Sequence, residues 1–159
     1  MTGHDHEFTM RFLAGAPDRN IYGNVHGGSM MKWMDEVAYA CAAGWCGLPC
    51  VTVSVSGIVF HRPVQVGHIV ELRARLVRTG RTSMAVAVNV LSADPRRGQY
   101  EQTTSSMMVF VAIDEAGKPA PVPKWSPVTP QEQSLEERAA RLVALGEQIQ
   151  AELRAFEAP

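Results

Sequence analysis

Residues 23–38 read GNVHGGSMMKWMDEVA, a tight polar turn that runs directly into an apolar helix. Gly27 and Gly28 have no side chain, so a ligand can approach their backbone closely. The start of a helix also leaves unpaired N–H groups and the positive end of the helix dipole. Together these features predict a site for a negatively charged group or a developing oxyanion.

The helix predicted from this stretch spans residues 27–45 and is apolar on almost every side. Such a helix is typical of a buried position. Its polar side chains lie at helical spacing on one narrow stripe: Lys32, Asp35, Glu36 and Tyr39. Gly44, Gly47 and Pro49 predict its end.

One predicted strand precedes the helix and four follow it. Alternating apolar and β-branched residues mark them at 8–13, 51–60, 69–77, 82–91 and 102–113, with Gly57 a candidate β-bulge. The third and fourth strands each place one apolar set on a single face: Val70, Leu72, Ala74 and Leu76, then Met84, Val86, Val88 and Val90. Short turns between consecutive strands predict an antiparallel sheet. The sequence therefore predicts an α+β fold whose sheet wraps around the long helix.

The segment after residue 118 has a different character. Five prolines between residues 119 and 130 predict an extended linker, and Thr129 with Glu132 predicts a capping box that begins a second helix. The amphipathic stripe of this helix consists of Leu135, Ala139, Leu142, Gly146, Ile149, Leu153 and Phe156. Two interpretations stay open: the helix packs on the sheet or on a neighbouring subunit, or it binds a dedicated partner. We accordingly divide the chain into a domain at 8–118 and an extension at 119–159.

The composition is that of an ordinary globular domain. Charged residues make up 19% of the 159 residues and the formal net charge is -1, which argues against binding to nucleic acid or a membrane surface. No apolar run approaches the ~20 residues of a membrane span, and the N-terminal residues lack the pattern of a signal peptide. Three cysteines without a framework spacing are typical of reduced thiols, so we expect a cytoplasmic protein.

Two short motifs resemble parts of a metal site, but neither provides a complete ligand set. Cys46 and Cys50 are not followed by a second pair of Cys or His at ligand spacing. His4 and His6 belong to a polar terminus, residues 1–7, that we expect to be loose. The sequence therefore predicts no bound metal.

Gly28 and Asp35 share one face of the predicted helix, because seven residues are close to two turns. Seven residues nevertheless separate them by ~10 Å along the axis, too far for both to act on one carbonyl group. Two chains resolve this difficulty if their helices pack antiparallel across a two-fold axis, with each N-terminus beside the other chain's carboxylate. The spacing also allows a simply solvated Asp35 beside an exposed Lys32–Glu36 pair.

The motif at 23–38 resembles that of the hotdog-fold acyl-CoA thioesterases, in the branch of YciA and the cytosolic brain acyl-CoA hydrolase. The resemblance continues through Val51-Thr-Val53, Phe60-His-Arg-Pro-Val-Gln-Val-Gly67 and Arg78-Thr-Gly-Arg-Thr-Ser-Met84, and covers residues 8–114. It implies a curved antiparallel sheet around a central helix. The activity that it implies is hydrolysis of an acyl-CoA thioester to a free acid and CoA.

The resemblance also implies roles for individual residues. Asp35 corresponds to the carboxylate that acts as general base or nucleophile, Asn24 to the residue that holds the water or the thioester, and the Gly28 N–H to the oxyanion donor. CoA is part of the substrate, and no separate cofactor is implied. A homodimer is expected, or a hexamer of three dimers in which the 78–83 turn meets CoA on a neighbouring subunit.

Further substrate contacts are expected at the helix start and at the arginine-containing turns: His26, Gly27, Ser29, Arg62, Arg78, Gly80, Arg81, Thr82 and Ser83. His26 stands where many bacterial relatives have Phe, and it either lines the pocket or takes part in catalysis. Two other functions occur on the same fold. A non-catalytic acyl-CoA sensor on this fold would lack the carboxylate, and a hotdog dehydratase would have a proline-rich approach to its histidine that the segment 25–28 lacks.

Overall fold

The computed structural model describes residues 5–157. In chain order its elements are β1 (Glu7–Leu13), α1 (Gly27–Cys46), β2 (Cys50–Ser56), β3 (Ile69–Thr79), β4 (Ser83–Ala93), β5 (Glu101–Ala112) and α2 (Pro130–Leu153). Short 3-10 turns occur at Ala16–Asp18 and Arg154–Phe156. This order of a strand, a long helix, four strands and a final helix confirms the predicted architecture.

The strands form one antiparallel sheet in the order β1-β3-β4-β5-β2, and α1 lies against its inner face. Side chains alternate between the two faces of a strand, so a period-two apolar pattern covers the helix side with apolar groups. The inward residues predicted for β3 and β4 are all at most 2% exposed: Val70, Leu72, Ala74, Leu76, Met84, Val86, Val88 and Val90. Met108 and Phe110 of β5 complete this layer under the helix.

α1 is buried on one side only. Met34, Val37 and Ala38 are 0% exposed, whereas Met31 and Tyr39 are 45% and 41% exposed. The expectation that the helix would be buried on nearly every side is therefore wrong for the single chain. The physical reason is that one sheet covers only one face of a helix, and the opposite face of α1 has no cover within residues 5–157.

β2 is shorter than predicted and bends at a different position. The strand ends at Ser56 rather than at residue 60, and its β-bulge falls between Thr52 and Ser54 rather than at Gly57. Gly57, with φ 32°, instead turns the chain out of the sheet. Beyond Gly57, the Val59 carbonyl accepts a hydrogen bond from the side-chain hydroxyl Oγ1 of Thr104 in β5 (2.7 Å) rather than from a backbone N–H of a neighbouring strand.

The proline-rich segment 119–129 lies along the sheet. Ala120 donates a backbone hydrogen bond to the Ala112 carbonyl (2.8 Å), and Val122 donates one to the Arg81 carbonyl (3.0 Å). Trp125 is only 6% exposed and belongs to the main core. The segment is thus packed against the predicted domain, which its composition did not indicate.

α2 begins at the predicted capping box, because the Glu132 N–H donates to Thr129 Oγ1 (3.2 Å) and the Thr129 N–H donates to Glu132 Oε2 (3.0 Å). Its first half packs on the outer face of the sheet through a small apolar cluster: Leu135, Ala139 and Val143 with Val77, Ala85 and Met107. The interpretation that this helix packs on the sheet is therefore confirmed for that half. Leu145, Ile149 and Leu153 in the second half stay 51%, 56% and 54% exposed.

The residues before β1 are more ordered than expected. Residues 1–4, including His4, lie outside the described residues. The ring of His6 lies 6.0 Å from that of Trp125, and the Leu76 N–H donates to the His6 carbonyl (2.8 Å). The expectation of a loose terminus at 1–7 is therefore wrong for His6 and Glu7, because Trp125 and β3 hold them.

Candidate active site

The turn before α1 is held by the side chain of Asn20. Asn20 Oδ1 accepts the backbone N–H groups of Tyr22 (2.9 Å) and Asn24 (3.1 Å), and the Asn20 N–H donates to the Asn24 carbonyl (2.7 Å). The Val25 N–H donates to the Val64 carbonyl (2.7 Å), which ties the turn to the β2–β3 loop. The half-buried Asn24 is thus fixed at the entrance to α1.

His26 caps the N-terminus of α1. Its Nδ1 accepts the Gly28 N–H at 3.0 Å. A neutral imidazole that accepts at Nδ1 carries its proton on Nε2, so that atom is left as a donor. The predicted oxyanion donor of Gly28 is therefore already engaged by His26 in this structure.

Gly27 and Ser29 complete this end of the helix, and both are half-buried. A Cβ atom on Gly27 would lie 3.7 Å from the Phe60 ring, in ordinary contact, whereas one on Gly28 would lie 3.2 Å from His26 Nδ1. Gly28 therefore leaves room for the capping imidazole. Five of the predicted site residues lie at this end of the helix: Asn24, His26, Gly27, Gly28 and Ser29.

Asp35 lies two turns further along α1 and faces β2. The hydroxyl Oγ1 of Thr52 donates to Asp35 Oδ1 at 2.6 Å. Thr52 points inward because it stands opposite the fully buried Phe110 in the strand register. Lys32 Nζ and Glu36 Oε1 on the same helix are 3.7 Å apart, as expected for an i,i+4 pair. Asp35 is not part of that pair, and the hydrogen bond that orients it comes from the strand.

Sequence reasoning did not assign a role to Thr52 or to Asn20. Thr52 belongs to the quoted segment 51–53, but it is one of three hydroxyl residues, with Ser54 and Ser56, that alternate with valines in this strand, so the pattern does not single it out. Asn20 lies in a loop rich in Gly, Pro, Asp and Asn, where Asn residues commonly fold back onto the backbone. Loop composition alone does not distinguish Asn20 from Asn24.

The arginine-containing turn predicted to contact CoA lies at the far end of the sheet from the N-terminus of α1. It lies at the same end as Thr52, because Thr52 pairs with Phe110, Phe110 with Met84, and Met84 with Thr79. The Gly80 N–H donates to the Ser83 carbonyl (2.9 Å) and closes the turn between β3 and β4. Arg78 reaches α2, with its Nη1 3.9 Å from Glu136 Oε1. β3 begins just after the loop that contacts Asn24, and eleven strand residues at ~3.3 Å each place the turn roughly 35 Å away. The predicted contacts at this turn therefore lie far from Asn24 and Gly28 of their own chain but within about three strand spacings, ~14 Å, of the Thr52 that holds Asp35. They are Arg78, Gly80, Arg81, Thr82 and Ser83.

Arg62, in contrast, lies close to the N-terminal end of α1. It follows Phe60, whose ring faces Gly27, by two residues in the β2–β3 loop. Its Nη1 is 2.8 Å from Glu101 Oε2 at the start of β5. Of the predicted arginines, Arg62 is the one that its own chain places beside the N-terminus of α1.

Within residues 5–157, no group of three or more His, Cys, Asp or Glu side chains is arranged to hold a metal ion. Over the same residues, neither α1 nor α2 is long and apolar enough to cross a membrane.

The sequence matches the family model described as "Thioesterase superfamily" over residues 22–99. It is 36% identical over 121 residues to the acyl-CoA thioester hydrolase YciA of Salmonella typhimurium, covering 74% of this chain and 90% of that protein. It is 37% identical over 123 residues to the cytosolic acyl coenzyme A thioester hydrolase of Rattus norvegicus. That alignment covers 76% of this chain but only 32% of the rat protein.

Among solved structures, an apo-hexameric acyl-CoA thioesterase superposes with a TM-score of 0.87 at 34% identity, covering 92% of this chain and 94% of that one. An acyl-CoA hydrolase of Staphylococcus aureus, solved with butyryl coenzyme A, coenzyme A and coenzyme A disulfide, gives 0.87 at 25% identity, covering 97% and 94%. Three mutant structures of that enzyme each replace one residue by Ala: an Asp, an Asn and a Thr. The three replaced residues have the same order and spacing there as Asn20, Asp35 and Thr52 have here.

Proposed function

The chain belongs to the thioesterase superfamily, as its sequence predicted, and we propose that it hydrolyses an acyl-CoA thioester to a free acid and CoA. The hotdog fold and the class of enzyme, an acyl-CoA thioester hydrolase, are confirmed by these relatives. The roles of individual residues, the sharing of sites between subunits and a cytoplasmic location belong to the proposal.

The hydrogen bond between Thr52 and Asp35 is the observation that carries this proposal. A carboxylate held at 2.6 Å by a strand hydroxyl has a fixed orientation, which a general base or nucleophile requires. The S. aureus mutants support it, because Asp35 and Thr52 have the types and spacing of two residues replaced there. The third replaced residue matches Asn20 by spacing, so we add Asn20 to the proposed site as the residue that holds the Asn24 turn.

In the proposed reaction, Asp35 either removes a proton from the attacking water or attacks the thioester carbon itself. Asn24 holds the water or the thioester. In both routes the carbonyl oxygen gains negative charge, and the Gly28 N–H donates to it. His26 Nδ1 accepts that N–H in the structure, so the imidazole gives up this hydrogen bond as the oxyanion forms. The C–S bond then breaks. In the general-base route the free acid forms directly, and the CoA thiolate takes up the proton that Asp35 removed from water. In the nucleophilic route the acyl group is left on Asp35 as a mixed anhydride, and a water molecule then hydrolyses it to the free acid, regenerates the Asp35 carboxylate and supplies the proton for the CoA thiolate.

Each complete site combines two subunits in this proposal. α1 is continuous from Gly27 to Cys46, so Gly28 and Asp35 of one chain stay ~10 Å apart along its axis. The exposed side of α1 and the free edge of β2 are available for a second copy, and Val51 and Val55 on that strand are 43% and 47% exposed. A two-fold axis there would bring each helix N-terminus beside the other chain's carboxylate.

In this proposal the 78–83 turn contributes to CoA binding at a site whose helix N-terminus comes from a neighbouring subunit. Its distance from Asn24 keeps it away from the helix N-terminus of its own chain, whereas the strand register aligns it with its own Thr52, which holds Asp35. A hexamer of three dimers would supply the turn from another dimer, and one solved relative is described as hexameric. The turn requires glycine at position 80, because a Cβ atom there would lie 2.5 Å from Ser83 Oγ, which is too close.

The activity is tested by supplying the purified chain with acyl-CoAs of increasing chain length and following release of the free thiol. We expect turnover of at least one chain length, with kcat within the ordinary enzyme range of about 1–10³ per second. Binding of acyl-CoA without thiol release from any member of the series would instead favour a non-catalytic sensor and would refute hydrolysis.

Thr52→Val is expected to lower kcat roughly 10-fold or more with little change in KM, because Asp35 loses a hydrogen bond of the charge-assisted kind. Valine has nearly the same shape, so the strand should be retained. Thr9→Val on the edge strand β1 is the matched control, since Thr9 is exposed and remote from Asp35. Equal kcat values for the two variants would contradict an orienting role for Thr52.

A further inference from the structure

The second half of α2 leaves an apolar groove between itself and the outer face of the sheet. The groove has a volume of about 1160 Å³. Its walls include six apolar side chains that stay exposed to solvent: Leu142, Leu145, Ile149 and Leu153 from α2, and Val53 and Val55 from β2. Contiguous exposed apolar surface of this kind marks an interaction site. We call this feature the α2 groove and define it by these six residues.

The apolar side chains of this half of α2 have a spacing that is the same in both directions. They occupy positions 142, 145, 149, 153 and 156, so the intervals are three, four, four and three residues. Such intervals keep all five on one face of a helix. Phe156 lies in the 3-10 turn that continues α2 and is 86% exposed. The stripe therefore has Ile149 at its centre and the same pattern toward either end.

A stripe with this symmetry matches a second copy of itself. In a two-fold contact between identical chains, when residue i touches residue j of the partner, residue j also touches residue i of the partner. If two copies of α2 lie antiparallel with Ile149 at the axis, Leu145 faces the partner's Leu153 and Leu142 faces the partner's Phe156. Every apolar side chain of the stripe then packs on an apolar side chain of the second copy. A helix of unrelated sequence would match this pattern only by chance.

The charges around the α2 groove also suit an identical partner. The neighbours of Ile149 along the helix are the uncharged Gln148 and Gln150, so no like charges face each other at the axis. Of the residues that line the groove, Arg138 and Glu147 are the charged ones, with one charge of each sign. The groove therefore has no net charge that would favour an anionic or a cationic ligand.

The α2 groove lies beside the edge of the sheet at which the two-subunit site is proposed. β2 lines the groove and is the last strand of the sheet, and only β5 pairs with it among residues 5–157. α1 packs on the inner face of the sheet, whereas α2 packs on the outer face. A single two-fold axis through the free edge of β2 can therefore relate both α1 and the second half of α2 to their copies.

We propose that the second half of α2 is a dimerisation helix. It pairs antiparallel with the same helix of a second copy, with Ile149 at the two-fold axis, and each helix fills the α2 groove of the other chain. The interface lies on the face of the sheet opposite to Asp35. The inference rests on the proposed function only for the position of the axis at the edge of β2, and the pairing of α2 is tested without any measurement of activity.

Cysteine cross-linking tests the register of the pair in the full-length chain. Ile149→Cys should form a disulfide-linked dimer on mild oxidation, because the two sulfurs meet at the axis. Leu145→Cys and Leu153→Cys should each stay unlinked alone, since each residue is roughly 12 Å from its own copy along the helix axis. The same two variants, coexpressed with different tags, should give a cross-linked heterodimer on a non-reducing gel. Links within either single variant, or none in the coexpressed pair, would overturn the proposed register.

Ala151→Cys is the matched control for cross-linking. Ala151 is exposed on α2, two residues from Ile149 and about 160° away around the helix. The control should give no more linked dimer than the wild-type chain, which accounts for the native cysteines: Cys41, Cys46 and Cys50. A yield equal to that of Ile149→Cys would show that linkage does not depend on the face of the helix, and the proposal would fall.

Ile149→Asp tests whether the pair holds the two copies together. Ile149 is exposed in the single chain, so the variant should fold, but in the pair the carboxylate would be buried against its own copy. We expect the concentration at which the oligomer dissociates to rise about 10-fold or more in sedimentation experiments. Ala151→Asp adds the same charge on the other side of the helix and should stay within about 2-fold of wild type.

These measurements separate the inference from the proposed function. If the chain releases no thiol from any acyl-CoA, the proposed function fails, while cross-linking still decides the pairing of α2. If Ile149→Cys gives no linked dimer and Ile149→Asp dissociates at the same concentration as wild type, the inference is refuted while hydrolysis stands. The α2 groove would then be open to a helix of a different protein.

Discussion

Asp35→Asn is expected to lower kcat by roughly 10²- to 10⁴-fold, the range typical of a lost general base. The amide oxygen of asparagine can still accept the hydrogen bond from Thr52, so the contact between α1 and β2 should survive. The substitution therefore removes the ability of residue 35 to accept a proton or to attack carbon, and it retains the local structure. Steady-state thiol release and thermal unfolding of the same preparation measure the two effects separately.

Glu36→Gln is the control for Asp35→Asn. It removes a carboxylate from the next position of the same helix, where Glu36 is exposed and linked only to Lys32 among its described contacts. Its kcat should stay within about 2-fold of wild type, since a surface ion pair on a helix contributes little. If Asp35→Asn retained wild-type kcat while unfolding normally, Asp35 would be neither base nor nucleophile.

Mixing two inactive variants is expected to restore activity. If Asn24→Ala and Asp35→Ala homodimers exchange subunits at equal concentration, about half of the dimers contain one chain of each kind. Each mixed dimer then has one site with both residues intact and one with neither. The mixture should therefore recover about a quarter of the wild-type activity, from a starting value near zero.

Subunit exchange has to be demonstrated independently, for example by native mass spectrometry of chains that carry different tags. A mixture of Asp35→Ala with a differently tagged Asp35→Ala chain provides the control, because no arrangement of those subunits contains an intact carboxylate. Proven exchange without recovery would mean that Asn24 and Asp35 act within one chain, which would contradict the two-subunit site. Full activity of Asn24→Ala alone would remove Asn24 from the mechanism.

The central strands were predictable because burial on one face imposes a period of two on the sequence. β3 and β4 follow this rule, and their predicted inward residues are buried. The end of β2 was not predictable in the same way. Residues 58–60 have the apolar and β-branched character of a strand, but Gly57 turns them away from the ladder. Strand propensity describes a residue's fit to a sheet and does not identify where the sheet ends.

The residue types of the candidate site could be predicted from the sequence better than the contacts between them. The glycine turn and the acidic position on α1 follow from helix geometry, and both lie where the helix placed them. The partner of Asp35 was not predictable, because Thr52 lies 17 residues away and reaches it only through the pairing of β2 with β5.

The burial of Trp125 also sets the order in which the chain can finish folding during synthesis. A ribosome delivers every strand before this residue, so the sheet and α1 can associate while one end of their core is still open. The Trp125 N–H then bonds to Thr79 Oγ1 (3.0 Å), and the indole closes that opening. Newly made chains should therefore keep an apolar surface exposed until the proline-rich segment docks, and chaperone capture should be greatest just before that step.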